Sequence, residues 1–183
     1  MVRVRIPATS ANLGAGFDSL GLAVNLYNYV DMEESDGVFI SSTDGTWVPT
    51  TKENLIYQSA QRLYDECGKK LCGLRIIQQN NIPMTRGLGS SSACIVGGLA
   101  AANQMLGNPL GLDDMVGLAS DIEGHPDNTT PALLGGIVTA VLEEGKVFWV
   151  KQEVHSALRL IAVIPDFKLS TEMARQVLPE KVS

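Results

Sequence analysis

"PMTRGLGSSSACIVGGLA", residues 83–100, joins a glycine- and serine-rich segment to a run of small side chains. Gly87 and Gly89 lack a Cβ atom, so the backbone can bend sharply there and approach a ligand closely. The run from Ser91 to about Leu106 is predicted to be a helix whose free N–H groups and partial positive charge face the loop. This combination predicts a phosphate-binding site. A glycine-rich turn before a tightly packed core helix is the alternative that the residues leave open.

Two adjacent glycines, Gly97 and Gly98, lie inside the predicted helix. Glycine costs about 1 kcal/mol relative to alanine in a helix interior. We therefore expect a second element of the fold, or a ligand, to lie almost against this helix. The stretch contains neither G-x-x-x-x-G-K-[ST] nor G-x-G-x-x-G, which argues against a Walker-type loop and against a dinucleotide-binding fold.

Composition narrows the class of protein. The chain has 183 residues, 45% of them hydrophobic, which fits one large domain or one domain plus part of another. A net charge of −6 argues against a nucleic-acid partner. The three cysteines, Cys67, Cys72 and Cys94, are an odd number and indicate reduced thiols without a metal site. No apolar stretch has the length of a membrane span and no targeting signal is visible, so we expect a cytoplasmic protein without a membrane partner.

The rest of the sequence mixes strand-like and helix-like patterns. Arg3 and Arg5 alternate with apolar residues, which predicts a first strand that Pro7 stops. Asn54 is a suitable cap and Gly68 a suitable terminator for the first helix. Adjacent strands with interspersed helices favour an α+β fold over a regular βαβ series. The predicted strands are 2–8, 21–33, 37–42, 73–83, a hairpin within 135–152 and 158–166, and the predicted helices are 54–68, 91–106, 112–124 and 170–179.

Four motifs carry a resemblance to a known family. The segment 83–93, "PMTRGLGSSSA", is similar to the P-x-x-x-G-L-G-S-S-x-A nucleotide loop of the galactokinase, homoserine kinase, mevalonate kinase and phosphomevalonate kinase (GHMP kinase) superfamily. The segment 5–28 resembles the N-terminal motif of homoserine kinases, and the segments 122–136 and 170–179 are similar to that family in the same order. The resemblance spans essentially the whole chain. It implies ATP- and Mg²⁺-dependent phosphorylation of the side-chain hydroxyl of L-homoserine to O-phospho-L-homoserine, in threonine biosynthesis.

The resemblance also implies a domain organisation. Residues 1–160 are expected to form the GHMP kinase N-terminal, nucleotide-binding domain, a ribosomal protein S5 domain 2-like fold with a mixed sheet packed with helices. Residues 161–183 are expected to begin a ferredoxin-like C-terminal domain, most of which is missing from this chain. An inactive isolated chain is therefore one expectation, and a homodimer is left open.

The resemblance assigns the nucleotide and metal sites to particular residues. Magnesium prefers hard oxygen ligands and keeps several waters, so one carboxylate beside the triphosphate is sufficient. The family places a Glu and a loop Ser on the metal, which implies Glu123 and Ser91. Asp121 is a competing candidate, because the spacing before the following turn varies in the family. The residues expected to bind ATP are Pro83, Met84, Thr85, Arg86, Gly87, Leu88, Gly89, Ser90, Ser91, Ser92 and Ala93.

The acceptor side is expected to use a loop after the first strand. Asn12 offers a donor and an acceptor and Asp18 a carboxylate, which suit an ammonium and a hydroxyl, although a capped turn explains them equally well. The resemblance assigns both residues to homoserine. It also implies substrate contacts for Asn128 and, by analogy, for Asn54, whose capping role is the safer explanation. His125 has the chemistry of a general base, but we favour an orienting or helix-terminus role.

Thr171 and Arg175 are four residues apart and share one face of the last predicted helix. By resemblance, Arg175 grips the substrate carboxylate and Thr171 touches the transferring phosphoryl group or the acceptor hydroxyl. An N-cap threonine and a solvated arginine are the alternative. Three alternatives remain open, namely a GHMP-type kinase with another acceptor, a non-catalytic nucleotide- or anion-binding module, and a purely structural α+β domain. The residues expected to carry catalysis are Asn12, Asp18, Asn128, Thr171 and Arg175.

Overall fold

A computed structural model describes residues 1–155, 157, 159–161 and 163. Within them lie six strands and four helices, which confirms the α+β prediction. The predicted strand at 158–166 falls mostly outside the described residues, and the predicted helix at 170–179 falls wholly outside them. No helix in the described part of the chain combines the length and apolarity of a membrane span. The elements are β1 (Val2–Ala11), β2 (Leu20–Glu34), β3 (Phe39–Ser42), α1 (Leu55–Glu66), β4 (Leu74–Gln79), α2 (Ser90–Met105), α3 (Leu112–Glu123), α4 (Pro126–Leu134), β5 (Ile137–Glu143) and β6 (Lys146–Gln152).

The long strand β2 organises a mixed sheet. It pairs antiparallel with β1 along one edge, and its other edge is shared by β5 at its beginning and by β4 at its end. Leu22, for example, lies opposite both Ser10 of β1 and Ile137 of β5. Strand β3 runs parallel beside β4, and β6 forms an antiparallel hairpin with β5.

The first strand continues past the proline that was expected to stop it. β1 runs to Ala11, and its register on β2 shifts between Pro7 and Ala8. A proline is tolerated at such an irregularity, where the regular ladder of hydrogen bonds is already interrupted. The alternation of exposed and buried residues also stops there, and both Ala8 and Thr9 are fully buried. The expected stop at Pro7 was wrong, and the extra residues place Thr9 in the interior.

Helix α2 packs against both the sheet and α1. A Cβ atom on Gly97 would lie 3.0 Å from Ile6 and 3.1 Å from Val30, on strands β1 and β2. A Cβ atom on Gly98 would overlap the backbone carbonyl of Ile56 in α1. The expectation that a second element lies almost against this helix is therefore confirmed, with α1 as that element.

Local signals at the helix ends were predicted correctly. Asn54 caps α1, because its Oδ1 accepts a hydrogen bond from the backbone N–H of Ile56 at 3.0 Å. Gly68 follows the end of α1 with φ of 62°, and Gly124 ends α3 with φ of 90°. Both glycines occupy the left-handed region that commonly closes a helix.

Strand β4 ends at Gln79, earlier than the predicted end at residue 83. Side chains from other segments take over the backbone donors that follow. The N–H of Asn80 donates to the carboxylate of Asp44, and the N–H of Ile82 donates to Oδ1 of Asn28 at 2.8 Å. These bonds replace ladder bonds and turn the chain toward the glycine-rich loop.

Helix α4 is an element that the sequence did not predict. It begins at Pro126, whose fixed φ suits a first helical position, but it also contains Pro131. Pro131 has no N–H to donate to the carbonyl of Asp127, one turn earlier. That carbonyl packs closely on Gly21 of β2, where a Cβ atom would overlap it. The irregular turn of α4 therefore packs directly on the sheet, and this packing requires the glycine at position 21.

Candidate active site

A cavity of about 470 Å³ lies at the amino end of α2. Its walls come from the end of β1, the glycine-rich loop, the first turn of α2, the end of α3 and the start of α4. Leu55, at the start of α1, and Cys94 of α2 also line it. The structure thus brings together most of the predicted site residues, namely Asn12, residues 84–92, Glu123, His125 and Asn128.

The glycine-rich loop has a tightly turned backbone. Thr85, Gly87 and Gly89 have φ angles of 54°, 68° and 64°, all in the left-handed region. The carbonyl of Leu88 accepts a hydrogen bond from the backbone N–H of Thr9 at 3.1 Å, which fixes the loop to β1. Helix α2 begins immediately after Gly89, which has no side chain to cap its first N–H groups. This geometry suits anionic oxygens at the helix start.

Two serine hydroxyls converge on one carboxylate. Ser91 and Ser92 donate from Oγ to the same Oε1 of Glu123, at 2.8 and 2.9 Å. Asp121 is directed elsewhere, since its carboxylate lies 3.5 Å from the guanidinium of Arg62 and its side chain is 70% exposed. Of the two acids considered for the metal, Glu123 is therefore the one at the loop.

Hydroxyl and carboxylate oxygens are the hard donors that Mg²⁺ binds. Within the described residues, no three His, Cys, Asp or Glu side chains cluster as a metal site. A magnesium ion that also binds phosphate oxygens and water needs no such cluster, and one carboxylate with one hydroxyl fits it.

His125 is paired with a buried acid. Its Nδ1 lies 2.5 Å from Oδ1 of Asp127, whose residue is 1% exposed. This hydrogen bond raises the pKa of His125, burial opposes the rise, and the negative charges of Asp127, Glu123 and Asp18 add to it. A raised pKa increases the protonated fraction of the imidazole at a given pH, and the contact between Nδ1 and Asp127 orients the ring, which is consistent with an orienting role.

Asn12 and Asp18 occupy one loop, as predicted. Oδ1 of Asn12 accepts a hydrogen bond from the backbone N–H of Asp18 at 2.9 Å, and both residues have left-handed φ angles, 58° and 53°. Asn12 lines the cavity, and the carboxylate of Asp18 lies near enough to His125 to influence its pKa. Asn54 differs, since it is 3% exposed and uses both side-chain groups, Oδ1 toward Ile56 and Nδ2 toward the carbonyl of Pro49. The structure therefore gives Asn54 its capping role.

The remaining predicted residues differ in their positions. Pro83 and Ala93 flank the cavity-lining part of the loop, and Ala93 is buried in α2. Thr171 and Arg175 lie outside the described residues. Asn128 lines the cavity, and its Oδ1 accepts a hydrogen bond from Oγ1 of Thr9 at 2.8 Å. Thr9 lies within the 5–28 motif but was not predicted as a site residue.

Burial changes the chemistry of Cys94, which lines the cavity. Loss of solvation, reinforced by the negative charge of Glu123, raises the pKa of its thiol to about 11. The thiol therefore stays protonated at neutral pH and is a poor nucleophile. Cys67 and Cys72 are also free thiols.

Part of the chain matches a known protein family. The family described as "GHMP kinases N terminal domain" matches residues 54–136, a range that contains the loop, Glu123 and α4. This part of the chain is similar to the N-terminal domain of GHMP kinases.

Curated homoserine kinases are similar to this chain along its whole length. The chain is 47% identical to the homoserine kinase of Petrotoga mobilis and 49% identical to that of Caldicellulosiruptor bescii, and each match covers 100% of this chain and 60% of the relative. The chain therefore spans about three fifths of the length of these curated relatives.

Solved structures of GHMP kinases have the same fold. The crystal structure of homoserine kinase from Cytophaga hutchinsonii matches 100% of this chain and 61% of its own, with a TM-score of 0.79 and 30% identity. The mevalonate kinase of Methanococcus jannaschii matches 85% of this chain and 56% of its own, with a TM-score of 0.63 and 16% identity, which shows the shared fold alone.

Proposed function

We propose that the protein transfers the γ-phosphoryl group of ATP to the side-chain hydroxyl of L-homoserine, which gives O-phospho-L-homoserine for threonine biosynthesis. The observation that carries the proposal is one cavity in which the glycine-rich loop, the Ser91–Glu123 pair and Asn128 meet. The identity of 47–49% to homoserine kinases supports L-homoserine as the acceptor.

The loop residues are suited to hold the ATP phosphates. Phosphoryl transfer requires alignment and charge stabilisation more than covalent chemistry from the protein. The N–H groups at the start of α2 and its partial positive charge would stabilise the phosphate oxygens. Met84, which is 53% exposed, and Leu55 provide apolar surface for the nucleotide base.

Glu123 and Ser91 are proposed to hold Mg²⁺. When bound, the ion neutralises charge on the phosphates. The protein's contribution is to keep the two oxygen ligands 2.8 Å apart at the entrance of the loop. The raised pKa of His125 supports a cationic contact to an anionic group of the substrates.

Asn12, Asp18 and Asn128 are proposed to align the acceptor, and Arg175 to bind its carboxylate, with Thr171 near the transferring group. In the reaction, the homoserine hydroxyl oxygen forms a bond to the γ-phosphorus, the bond to the bridging oxygen of ADP breaks, and the hydroxyl proton is released.

We also propose residues 1–160 as the nucleotide-binding domain, residues 161–183 as the start of a second domain, and a cytoplasmic location.

The test is ADP production by the full-length gene product with L-homoserine, L-serine or mevalonate compared side by side. We expect turnover with L-homoserine well above that with either other acceptor. A preference for mevalonate would indicate a sister GHMP kinase, and ATP binding without turnover would indicate a non-catalytic module. Arg175→Ala should raise the KM for homoserine strongly and leave ATP binding near normal, and the opposite result would contradict the role of Arg175.

A further inference from the structure

Thr9 connects three elements that border the cavity. Its residue is fully buried at the end of β1. Its backbone N–H donates to the carbonyl of Leu88 in the loop at 3.1 Å, and its hydroxyl donates to Oδ1 of Asn128 in α4 at 2.8 Å. A Cβ atom on Gly89 would overlap the same hydroxyl, so the side chain of Thr9 packs directly under the start of α2.

The orientation of the Asn128 amide is set from two sides. Its Nδ2 donates to Oδ1 of the buried Asp127 at 3.3 Å, and a carboxylate oxygen only accepts hydrogen bonds. The amide oxygen must therefore face Thr9, where it needs a donor, and the threonine hydroxyl is that donor. One N–H and one lone pair of the amide remain for a ligand in the cavity that Asn128 lines.

We propose that Thr9 is a positioning residue whose hydroxyl fixes the Asn128 amide relative to the phosphate-binding loop. Because the same residue binds Leu88 and Asn128, it sets the distance between the loop that holds the phosphoryl donor and the amide that contacts the acceptor. The inference rests on the proposed function, in which Asn128 contacts the acceptor side.

The matched variants are Thr9→Val, which keeps the size but removes the hydroxyl, and Thr9→Ser, which keeps the hydroxyl. In the full-length protein, Thr9→Val should lower kcat with L-homoserine by about tenfold and leave the Kd for a non-hydrolysable ATP analogue within about twofold. Thr9→Ser should stay within about threefold of the unaltered protein in kcat. A normal kcat in Thr9→Val, or equal losses in both variants, would overturn the inference.

A double-mutant cycle separates action through Asn128 from a general loosening of the loop. In an Asn128→Ala background, Thr9→Val should cause less than about twofold further loss of kcat, because the group it orients is gone. If the two losses multiply, or if the nucleotide Kd rises with Thr9→Val, then Thr9 supports the loop alone and the inference is wrong.

An NMR readout is independent of the acceptor. The side-chain amide signal of Asn128 should shift in Thr9→Val and stay close to its original position in Thr9→Ser. An unchanged signal in Thr9→Val would refute the orientation of Asn128 by Thr9. Absence of homoserine-dependent ADP formation in the unaltered protein would instead refute the proposed function, and the NMR comparison still decides the contact.

Discussion

Replacing Gly89 by alanine should damage the site through two separate effects. Gly89 has φ of 64°, a left-handed conformation that side chains rarely adopt. The added Cβ atom would also overlap Oγ1 of Thr9 and lie 3.1 Å from Oδ1 of Asn128. Thr9 is fully buried, so its side chain cannot move away freely.

Gly87→Ala provides the matched control. Gly87 has a similar φ of 68°, but its added Cβ atom would meet no atom within 4 Å in the described part of the chain. The left-handed backbone costs roughly 1–2 kcal/mol in either variant. Overpacking costs roughly 1–3 kcal/mol more and applies to Gly89 alone. We therefore expect a loss of about 2–5 kcal/mol for Gly89→Ala against about 1–2 kcal/mol for Gly87→Ala.

Urea unfolding of the full-length protein measures the free energy of unfolding of both variants by linear extrapolation. Adding Thr9→Ala to Gly89→Ala removes the overlapping hydroxyl and leaves a contact of 3.3 Å to the Cβ atom of residue 9. The double variant should therefore show a smaller loss than the sum of the two single losses. Equal losses for Gly89→Ala and Gly87→Ala, with simple additivity in the double variant, would refute the close contact between loop and strand.

Three further predictions concern the metal site, the helix packing and the histidine pair. Glu123→Gln should lower kcat by about 100-fold, because the carboxylate that receives both serine hydroxyls is lost, whereas Asp121→Asn should stay within about twofold. Mg²⁺ titrations of the activity of both variants test this prediction. Equal losses of kcat in the two variants would exclude Glu123 as the metal ligand. Gly98→Ala should destabilise the fold by about 1–3 kcal/mol. The matched change Gly117→Ala, where no atom of the described residues lies within 4 Å of the added Cβ, should stabilise the fold by up to about 1 kcal/mol. If urea unfolding gave changes in the free energy of unfolding of the same sign for both variants, the packing of α1 on α2 would be contradicted. The hydrogen bond between His125 and the buried carboxylate of Asp127 raises the pKa of His125 above 6.5. The stability that this pair contributes is therefore fully present below pH 6.5 and is lost as the pH rises through the folded-state pKa. His125→Gln should remove this decline in the urea midpoint, and an unchanged decline would show that the pair is not its source.

The elements that the sequence predicted are those with local signals. The helix α1 follows from its apolar spacing and from Asn54, whose side chain caps the residues immediately after it. The end of α3 follows in the same way from Gly124. Such signals act within one turn of the chain, so they can be read without knowing the rest of the fold.

The errors in the fold have long-range causes. Pro7 does not end β1, because the register of β1 on β2 shifts next to it. Helix α4 contains Pro131 and is stabilised by packing on Gly21, more than a hundred residues earlier in the chain. Neither arrangement has a local pattern, since each depends on which segment of the chain lies opposite.

The residues of the candidate site likewise fall into two groups, those with local sequence signals and those that depend on long-range contacts. The loop and the serines are contiguous, so their glycine and hydroxyl pattern could predict a phosphate site from the sequence alone. The resemblance already favoured Glu123 over Asp121, but only the structure shows which carboxylate reaches the serines and which reaches Arg62. The role of Thr9 could not be predicted from the sequence, because its hydroxyl donates to a residue 119 positions away.

The amino end of α2 and its loop are proposed to hold the ATP phosphates, with Glu123 and Ser91 on the metal. The most direct test of this proposal is a crystal structure of the full-length protein with a non-hydrolysable ATP analogue and Mn²⁺, which anomalous scattering locates. We predict phosphate oxygens within hydrogen-bonding distance of the N–H groups of residues 87–92, and Mn²⁺ coordinated by Ser91 and Glu123. A nucleotide bound elsewhere, with only solvent in this cavity, would show that the glycine-rich loop is not the phosphate site.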